Sequence, residues 1–476
     1  MTGLETAAWL TLLVVQLCVI LRAILLEGRD SSARAAWLLL LIALPVVGVV
    51  LYILFGEPWI SSGLRTRDRR IREGLRALAP SAARHDDAGG RYANAFATFE
   101  AASRWPVATG NAARLTPDAD GAIAMLVADI DAATTAVHLC FYIWLEDDNG
   151  TMVAEAVCRA ARRGVACRIA ADAIGSRGLI RSACWTMMRD AGAHLCSVLR
   201  APFGLGFLVG HRIDLRNHRK IAVIDGRVAY CGSQNCADPA FRIKRRFAPW
   251  VDILVRFEGP VVRQTELIFA ATWALETGED LRPALPDAPQ PVAGGFPAIA
   301  TGTGPMSPRG TMTAMFVAVL AAAQSRVTIT TPYFAPDPPL LAAIIAAARR
   351  GVAVRIVFPH RNDSRALVAI SRAYYPSLIE AGVRIFEYCG GLLHAKTIVA
   401  DTALAMIGSS NMDRRSLDLN FENNLLLDCP QFAAQLEQRQ EDWLRDAIEI
   451  DREDATGRAM PRRLIDNLLT MVAAVF

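Results

Sequence analysis

The sequence predicts an α/β protein made of two copies of one domain, carried behind a pair of membrane-spanning helices. Three observations predict it. Ala160–Ile169 reads AARRGVACRI and Ala347–Ile356 reads AARRGVAVRI, so a helix end, a glycine cap and a following strand are written twice. A longer pattern is also doubled: His218–Asn235 reads HRKIAVIDGRVAYCGSQN and His394–Asn411 reads HAKTIVADTALAMIGSSN. The first 56 residues hold two apolar stretches, each near the roughly 20 residues that span a bilayer as a helix.

Taken in order, Thr6–Leu26 is apolar apart from Gln16, Arg22 and hydroxyl groups, and Ala35–Gly56 is 22 residues without a charge. Pro45 and Gly48 lie inside the second stretch, where membrane helices tolerate them. Residues 1–56 are therefore expected to form a two-helix transmembrane hairpin. A basic juxtamembrane linker, 57–114, carries Arg65, Arg67, Arg69, Arg70, Arg72 and Arg76, against Arg22, Arg29 and Arg34 on the turn side. That asymmetry places the body on the cytoplasmic side and the arginines against anionic headgroups. Around 80–115 the sequence offers little pattern. The two domains are expected at 115–281 and 300–445, with Pro-rich 282–299 between them. The C-terminal segment 446–476 ends in RRLIDNLLTMVAAVF, too short to span, which fits either a helix in the membrane interface or an ordinary docked one.

Composition agrees with membrane segments: 53% of residues are hydrophobic and mean hydropathy is +0.26. A net charge of only +4 gives no global argument for nucleic acid, and none is expected as a partner. Ten cysteines without paired spacing read as free thiols in a reducing compartment.

Both long copies fit the pattern H-x-K-x4-D-x6-G-S-x-N. Among 51 basic residues only Lys220, Lys244 and Lys396 are lysines, and two of the three stand two residues after the motif histidine. A compact ammonium is not interchangeable with a guanidinium. IAVID and TIVAD read as short strands, so His218 and Lys220 share a face, as do His394 and Lys396. Asp225-Gly226 is a hairpin signal; Asp225 and Asp401 are expected to organise turns first and to serve chemistry second. Gly232 and Gly408 would let the backbone approach a ligand. Ser233, Asn235, Ser409 and Asn411 would then hold phosphate oxygens. Two histidines supply a nucleophile and a general acid/base, and two lysines neutralise a phosphate. The pattern points to phosphoryl chemistry with no metal and no cofactor. His85, His138, His194, His211 and His360 show no metal-ligand spacing.

The doubled motif resembles that of the phospholipase D superfamily at every defined position. The flanks FYIW (Phe141–Trp144), WVDILVRFEGP (Trp250–Pro260), TTPYF (Thr330–Phe334), GGLLHAK and MDRRSLDLNFE (Met412–Glu422) resemble those of bacterial cardiolipin synthases, and the likeness covers nearly the whole chain. The resemblance implies a pseudo-twofold site at the interface of two tandem phospholipase D-like domains. It implies that His218, Lys220, Asp225, His394, Lys396 and Asp401 form the catalytic set, with His218 as nucleophile and His394 as acid/base. Asp252 and Glu422, each downstream of its own histidine, would orient the imidazoles. The implied reaction joins two phosphatidylglycerols into cardiolipin in a bacterial inner membrane. A hydrolytic phospholipase D or phosphodiesterase, and a non-enzymatic membrane scaffold, are the rivals. Tyr142 and Tyr333 could line the pocket or be core. Arg414 and Arg415 could hold a second lipid phosphate or pair with Asp413 or Asp418. Oligomeric state is left open.

Overall fold

The repeated sequence becomes a repeated order of strands. The computed structural model of the chain describes residues 3–26, 31–57, 60–80, 90–200, 214–457 and 460–473. The first half contributes β1 (Ala108–Leu115), β2 (Ala136–Phe141), β3 (Ala166–Asp172), β4 (His194–Val198), β5 (Lys220–Ile224), β6 (Val228–Gly232), the short β7 (Trp250–Val251) and β8 (Leu254–Glu258). The second contributes β9 (Phe296–Thr303), β10 (Arg326–Thr330), β11 (Phe334–Ala335), β12 (Ala353–Pro359), β13 (Arg384–Tyr388), β14 (Leu392–Leu393), β15 (Thr397–Ala400), β16 (Leu404–Gly408), β17 (Met412–Asp413), β18 (Glu422–Asp428) and β19 (Ala447–Ile450).

One sheet runs β4-β3-β2-β5-β6-β8-β1 and continues β9-β18-β16-β15-β10-β12-β13-β19. Read outward from the centre, the two halves have the same order and the same mixture of parallel and antiparallel pairs. They meet where β1 and β9 pair antiparallel with an irregular register. β19 adds an edge strand to the second half by pairing with β13, so residues just past 445, expected to lie outside the domains, belong to its sheet.

Each half carries a helix after its last central strand, Val261–Thr277 and Pro430–Arg445, on the inner face of the sheet. Phe269 and Leu436 of these helices share one core with Phe257 of β8 and Leu425 of β18. Separate cores lie under the outer helices of the first half, around Leu126, Val157 and Trp144, and of the second, around Phe316, Ile344 and Leu378. The result is layered α/β packing with the interface between halves buried. Helix Ala93–Ser103, from the stretch with little pattern, packs Phe96 and Phe99 into the second-half core.

The N-terminal region departs from expectation. Gly3–Leu25 is one helix, and it is the helix among the described residues long and apolar enough to cross a membrane. The second stretch breaks at Leu44 into Ser31–Ala43, Pro45–Leu51 and a π turn, Tyr52–Gly56. Pro45 has no N–H, so the carbonyl of Leu41 loses its helical donor. Gln16 of the first helix fills that gap, its Nε2 donating to Leu41 O at 2.8 Å. Glu57 closes the pair, accepting from Arg22 at 2.8 and 2.9 Å and from Tyr52 Oη at 2.8 Å. Trp9, Leu13, Leu17, Leu39, Ile42 and Val46 point outward, an apolar surface that suits lipid and associates the chain with a membrane.

Candidate active site

The site assembles where the two halves exchange strand ends. β14 runs parallel to β7, so Leu393 lies beside Val251 and His394 N donates to Val251 O at 2.8 Å. By the same logic Asn217 bridges Phe421, and His218 N donates to Phe421 O at 2.9 Å. Each histidine is thereby set next to the acidic residue of the other half.

The carboxylate partners are consequently crossed. His218 Nδ1 meets Glu422 at 2.9 and 3.0 Å, and His394 Nδ1 meets Asp252 at 2.7 Å. Asp252 does not serve His218, nor Glu422 His394, as chain order implied. Among the described residues neither Nε2 has a hydrogen-bond partner. A carboxylate on Nδ1 fixes the tautomer with its proton there and leaves a lone pair on Nε2.

Ser233 and Ser409 are not placed to hold phosphate. Ser233 Oγ donates to Asp252 at 2.6 Å and accepts from Ile253 N; Ser409 Oγ donates to Glu422 and accepts from Asn423 N. Both hydroxyls are committed to the carboxylates. Ser416 donates to Glu422 at 2.8 Å as well. Gly232 and Gly408 make room for protein rather than ligand: a Cβ at Gly232 would stand 2.2 Å from Ile253 O, and one at Gly408 2.1 Å from Asn424 Oδ1. Asn235 Oδ1 accepts from Ile143 N at 3.1 Å. Buried Asn411 Oδ1 has no partner among the described residues.

Asp225 and Asp401 leave the catalytic group. They sit at the far ends of β5 and β15 from the histidines, about 20 Å along the strand. Both have positive φ, 52° and 54°, as a two-residue hairpin turn requires. Asp225 accepts from the N–H groups of Thr134, Thr135 and Ala136, and Asp401 from those of Gln324, Ser325 and Arg326. Each staples its hairpin to the start of the neighbouring strand. These donors outweigh burial and hold Asp225 down at about 2.

The lysines are fully buried, and each Nζ donates to the carbonyl of its own histidine, Lys220 at 2.7 Å. Burial first, against the pull of Glu422 and Asp252, pushes Lys220 down to about 8 and Lys396 to about 7. Burial likewise pushes both histidines down to about 4, with the lysines of both halves adding to the effect against the carboxylates. The crossed contacts of His218 with Glu422 and of His394 with Asp252 bring the two half-sites together. Burial alone would raise Asp252 and Glu422; the imidazoles and lysines reverse it and hold both below their ordinary values. The two buried lysines thus stand against the carboxylates Asp252 and Glu422, with buried Asp413 also acting on Lys396.

Aromatic rings wall the site. Tyr142 lies 5.0 Å from the His218 ring and 5.4 Å from Lys220 Nζ, and Trp250 lies 4.8 Å from the His394 ring. Tyr333 faces His394 at 6.3 Å and donates its hydroxyl to Asp363 at 2.6 Å. Lys244 pairs with the same Asp363, tying the basic 242–247 turn of the first half to the second. Arg415 pairs with Asp214 across the halves rather than with Asp413 or Asp418. His360 pairs with Glu387, and buried His138 stacks on Phe269; His85 and His211 lie outside the described residues.

Sequence reasoning missed two residues. Arg219 is buried and binds Glu422 O, Thr272 Oγ1 and Thr303 O. Asn423 pairs with the backbone of Lys220, at 3.0 Å from its N–H. The contrast of HRK with HAK was the available signal for the first.

Comparison with known proteins adds the following. The family described as cardiolipin synthase, PLD-like domain, matches residues 126–273 and 316–443. The family described as phospholipase D-nuclease N-terminal matches 11–57. Proteins described as cardiolipin synthase A from Yersinia pseudotuberculosis serotype IB (strain PB1/+) and Yersinia pestis bv. Antiqua (strain Angola) are each 35% identical over 461 residues, 94% of this chain and 93% of theirs. The crystal structure of phosphatidylserine synthase from Haemophilus influenzae Rd KW20 superposes on 80% of this chain and 100% of its own with a TM-score of 0.58. At 15% identity, that likeness shows the fold.

Proposed function

We propose the reaction that follows from one premise: the chain belongs to the cardiolipin synthase, PLD-like family. It is a phosphatidyltransferase that moves the phosphatidyl group of one phosphatidylglycerol onto a second, giving cardiolipin and glycerol. The observation that carries this reading is the pair of crossed histidine–carboxylate contacts in one buried site, with neither Nε2 hydrogen-bonded among the described residues.

In the first step His218 Nε2 attacks phosphorus, and the bond from phosphorus to the glycerol oxygen breaks. His394, protonated as the anionic substrate enters, gives its Nε2 proton to the departing oxygen. In the second step the hydroxyl of another phosphatidylglycerol loses its proton to His394 and attacks the phosphohistidine, releasing His218. His218 is assigned the nucleophile by the family resemblance, and the fuller set of donors on Glu422 (Ser409, Ser416 and Asn420) supports a rigidly aimed ring. Lys220 and Lys396 neutralise the phosphate oxygens, and the side chains of Asn235 and Asn411 hold them. Asp252 and Glu422 act as positioning residues.

The helical hairpin passes the membrane twice and keeps the body on the cytoplasmic face, where Arg65, Arg69 and Arg76 meet anionic lipid. This places the site where acceptor is concentrated and water is scarce, the condition for transfer over hydrolysis. The test is lipid analysis of a bacterial host lacking its own cardiolipin. Cardiolipin should appear with the intact chain and be absent with His218→Ala or His394→Ala. Normal cardiolipin with either variant would reject the composite site.

A further inference from the structure

A cavity of ≈ 1100 Å³ lies between the membrane segment and the second half of the body. None of His218, Lys220, His394 or Lys396 lines it. One end is formed by Trp37 and Phe55 of the second apolar segment, and one wall by helix Ser62–Arg76. The loop after β9, from Gly304 to Gly310, and Leu417, Asp418 and Leu419 of the turn Arg415–Leu419 also line it.

The helical wall carries Asp68 and Glu73, and its basic residues outnumber them. Arg65, Arg69, Arg72 and Arg76 line the cavity, a spacing that puts all four on one helical face. Arg72 is bound to Asp68. Among the described residues Arg65, Arg69 and Arg76 have no hydrogen-bond or ion-pair partner. Arg67 faces the other way and donates to Ala274 O at 3.0 Å in the body, so the helix is docked by one face and turns the arginine stripe into the cavity. A solvated helix face needs no opposing wall; this one has a wall carrying Pro305, Met306, Leu417 and Leu419.

We infer that this cavity binds one anionic diacyl phospholipid apart from the two-histidine site, its phosphate on Arg65, Arg69 and Arg76 and its acyl chains leaving past Trp37 and Phe55. Phosphate chemistry fits the arginines, the volume fits a lipid headgroup and glycerol, and the apolar end opens from the segment the membrane covers. The site also touches the catalytic machinery at one remove. Leu417 and Leu419 belong to the turn whose Ser416 donates to Glu422, so an occupied cavity braces the residue that aims His218.

The test is native mass spectrometry of the full chain from detergent, with dioleoyl phosphatidic acid as probe, since it has no alcohol to transfer. The intact chain should retain one tightly held lipid. Arg65→Gln, Arg69→Gln and Arg76→Gln combined should weaken that binding on the order of 100-fold. His218→Gln with His394→Gln should keep it, and so should Arg67→Gln with Arg70→Gln, which removes charge from the docked face. Phosphatidylcholine should not bind, and excess inorganic phosphate should not compete. Photo-crosslinking of the intact chain with a benzophenone phosphatidic acid should label residues 304–310 or 65–76, which needs no variant to fold. Unchanged binding in the triple variant, equal loss in the Arg67/Arg70 variant, full competition by inorganic phosphate, or no label in those segments would each overturn the site. The readout is binding, so a chain that made no cardiolipin would still decide it.

Discussion

Replacing Glu422 by glutamine tests the crossed pairing directly. Glu422 is fully buried and receives His218 Nδ1 at 2.9 and 3.0 Å, with Ser409 and Ser416 on the same two oxygens. A glutamine amide keeps one oxygen where the carboxylate had two, so the imidazole or one serine loses its acceptor. A hydrogen bond to a charged group contributes about 1.5–3 kcal/mol, and about 1.4 kcal/mol is a factor of ten in rate. Loss of the contact alone should slow attack by His218 about 10- to 150-fold. If the amide donates to Nδ1, the ring proton shifts to Nε2 and attack slows further. The assay is rapid quench with a phosphorus-labelled phosphatidyl donor, counting acid-labile label on the protein. Glu422→Gln should slow labelling with any donor. Asp252→Asn should slow it by a similar factor with phosphatidylglycerol. With a nitrophenyl leaving group, which departs without a proton, Asp252→Asn should label within a few-fold of the intact chain. The reverse pattern, with Asp252→Asn blocking labelling by the activated donor and Glu422→Gln sparing it, would refute both the pairing and the assignment of His218.

Three further outcomes are expected. Lys220→Arg and Lys396→Arg should each lose transfer despite retained charge, because a planar fork does not fit a buried site built around an ammonium; full activity in both would remove the lysine argument. Both site imidazoles lie at about 4 in the folded chain against about 6.5 unfolded. As pH falls the unfolded chain therefore takes up protons first, so stability should hold above about 6.5 and drain away between about 6.5 and about 4. Chemical denaturation across that window should be flatter for His218→Asn with His394→Asn, and an unchanged slope would contradict the burial argument. Gln16→Leu should leave Leu41 O without its donor and destabilise the helical hairpin by about 1–3 kcal/mol. Pro45→Ala should restore most of that loss in the double variant, and strictly additive effects would show that the two residues do not act on one carbonyl.

The doubled motif was legible because strand chemistry and catalytic chemistry coincide in it. The spacing of two sets His218 just ahead of β5, which begins at Lys220, and the duplicated AARRGV segment fixed two equivalent halves. What chain order could not supply was exchange between the halves. Asp252 follows His218 in sequence, but β14 beside β7 delivers it to His394, and pairing of this kind depends on tertiary contacts alone. Polar residues in the motif were read as ligands because residue type does not reveal which hydroxyl is already used. Ser233 and Ser409 are spent on carboxylates, and Asp225 and Asp401 on the N–H groups that start neighbouring strands. The break at Pro45 was visible in the sequence as a tolerated proline; its repair by Gln16 was not, since the two lie on different helices.

The central claim is transfer through a histidine-bound phosphatidyl group, and one reconstitution tests it most directly. The exchange makes one phosphodiester and breaks another, so it needs no nucleotide and should run in both directions. Purified chain in bilayers of phosphatidylglycerol, without CTP, should produce cardiolipin and glycerol in equal amounts, and added glycerol should suppress or reverse the reaction. Phosphatidic acid as the sole product in intact bilayers, or cardiolipin only when CTP is supplied, would contradict the account.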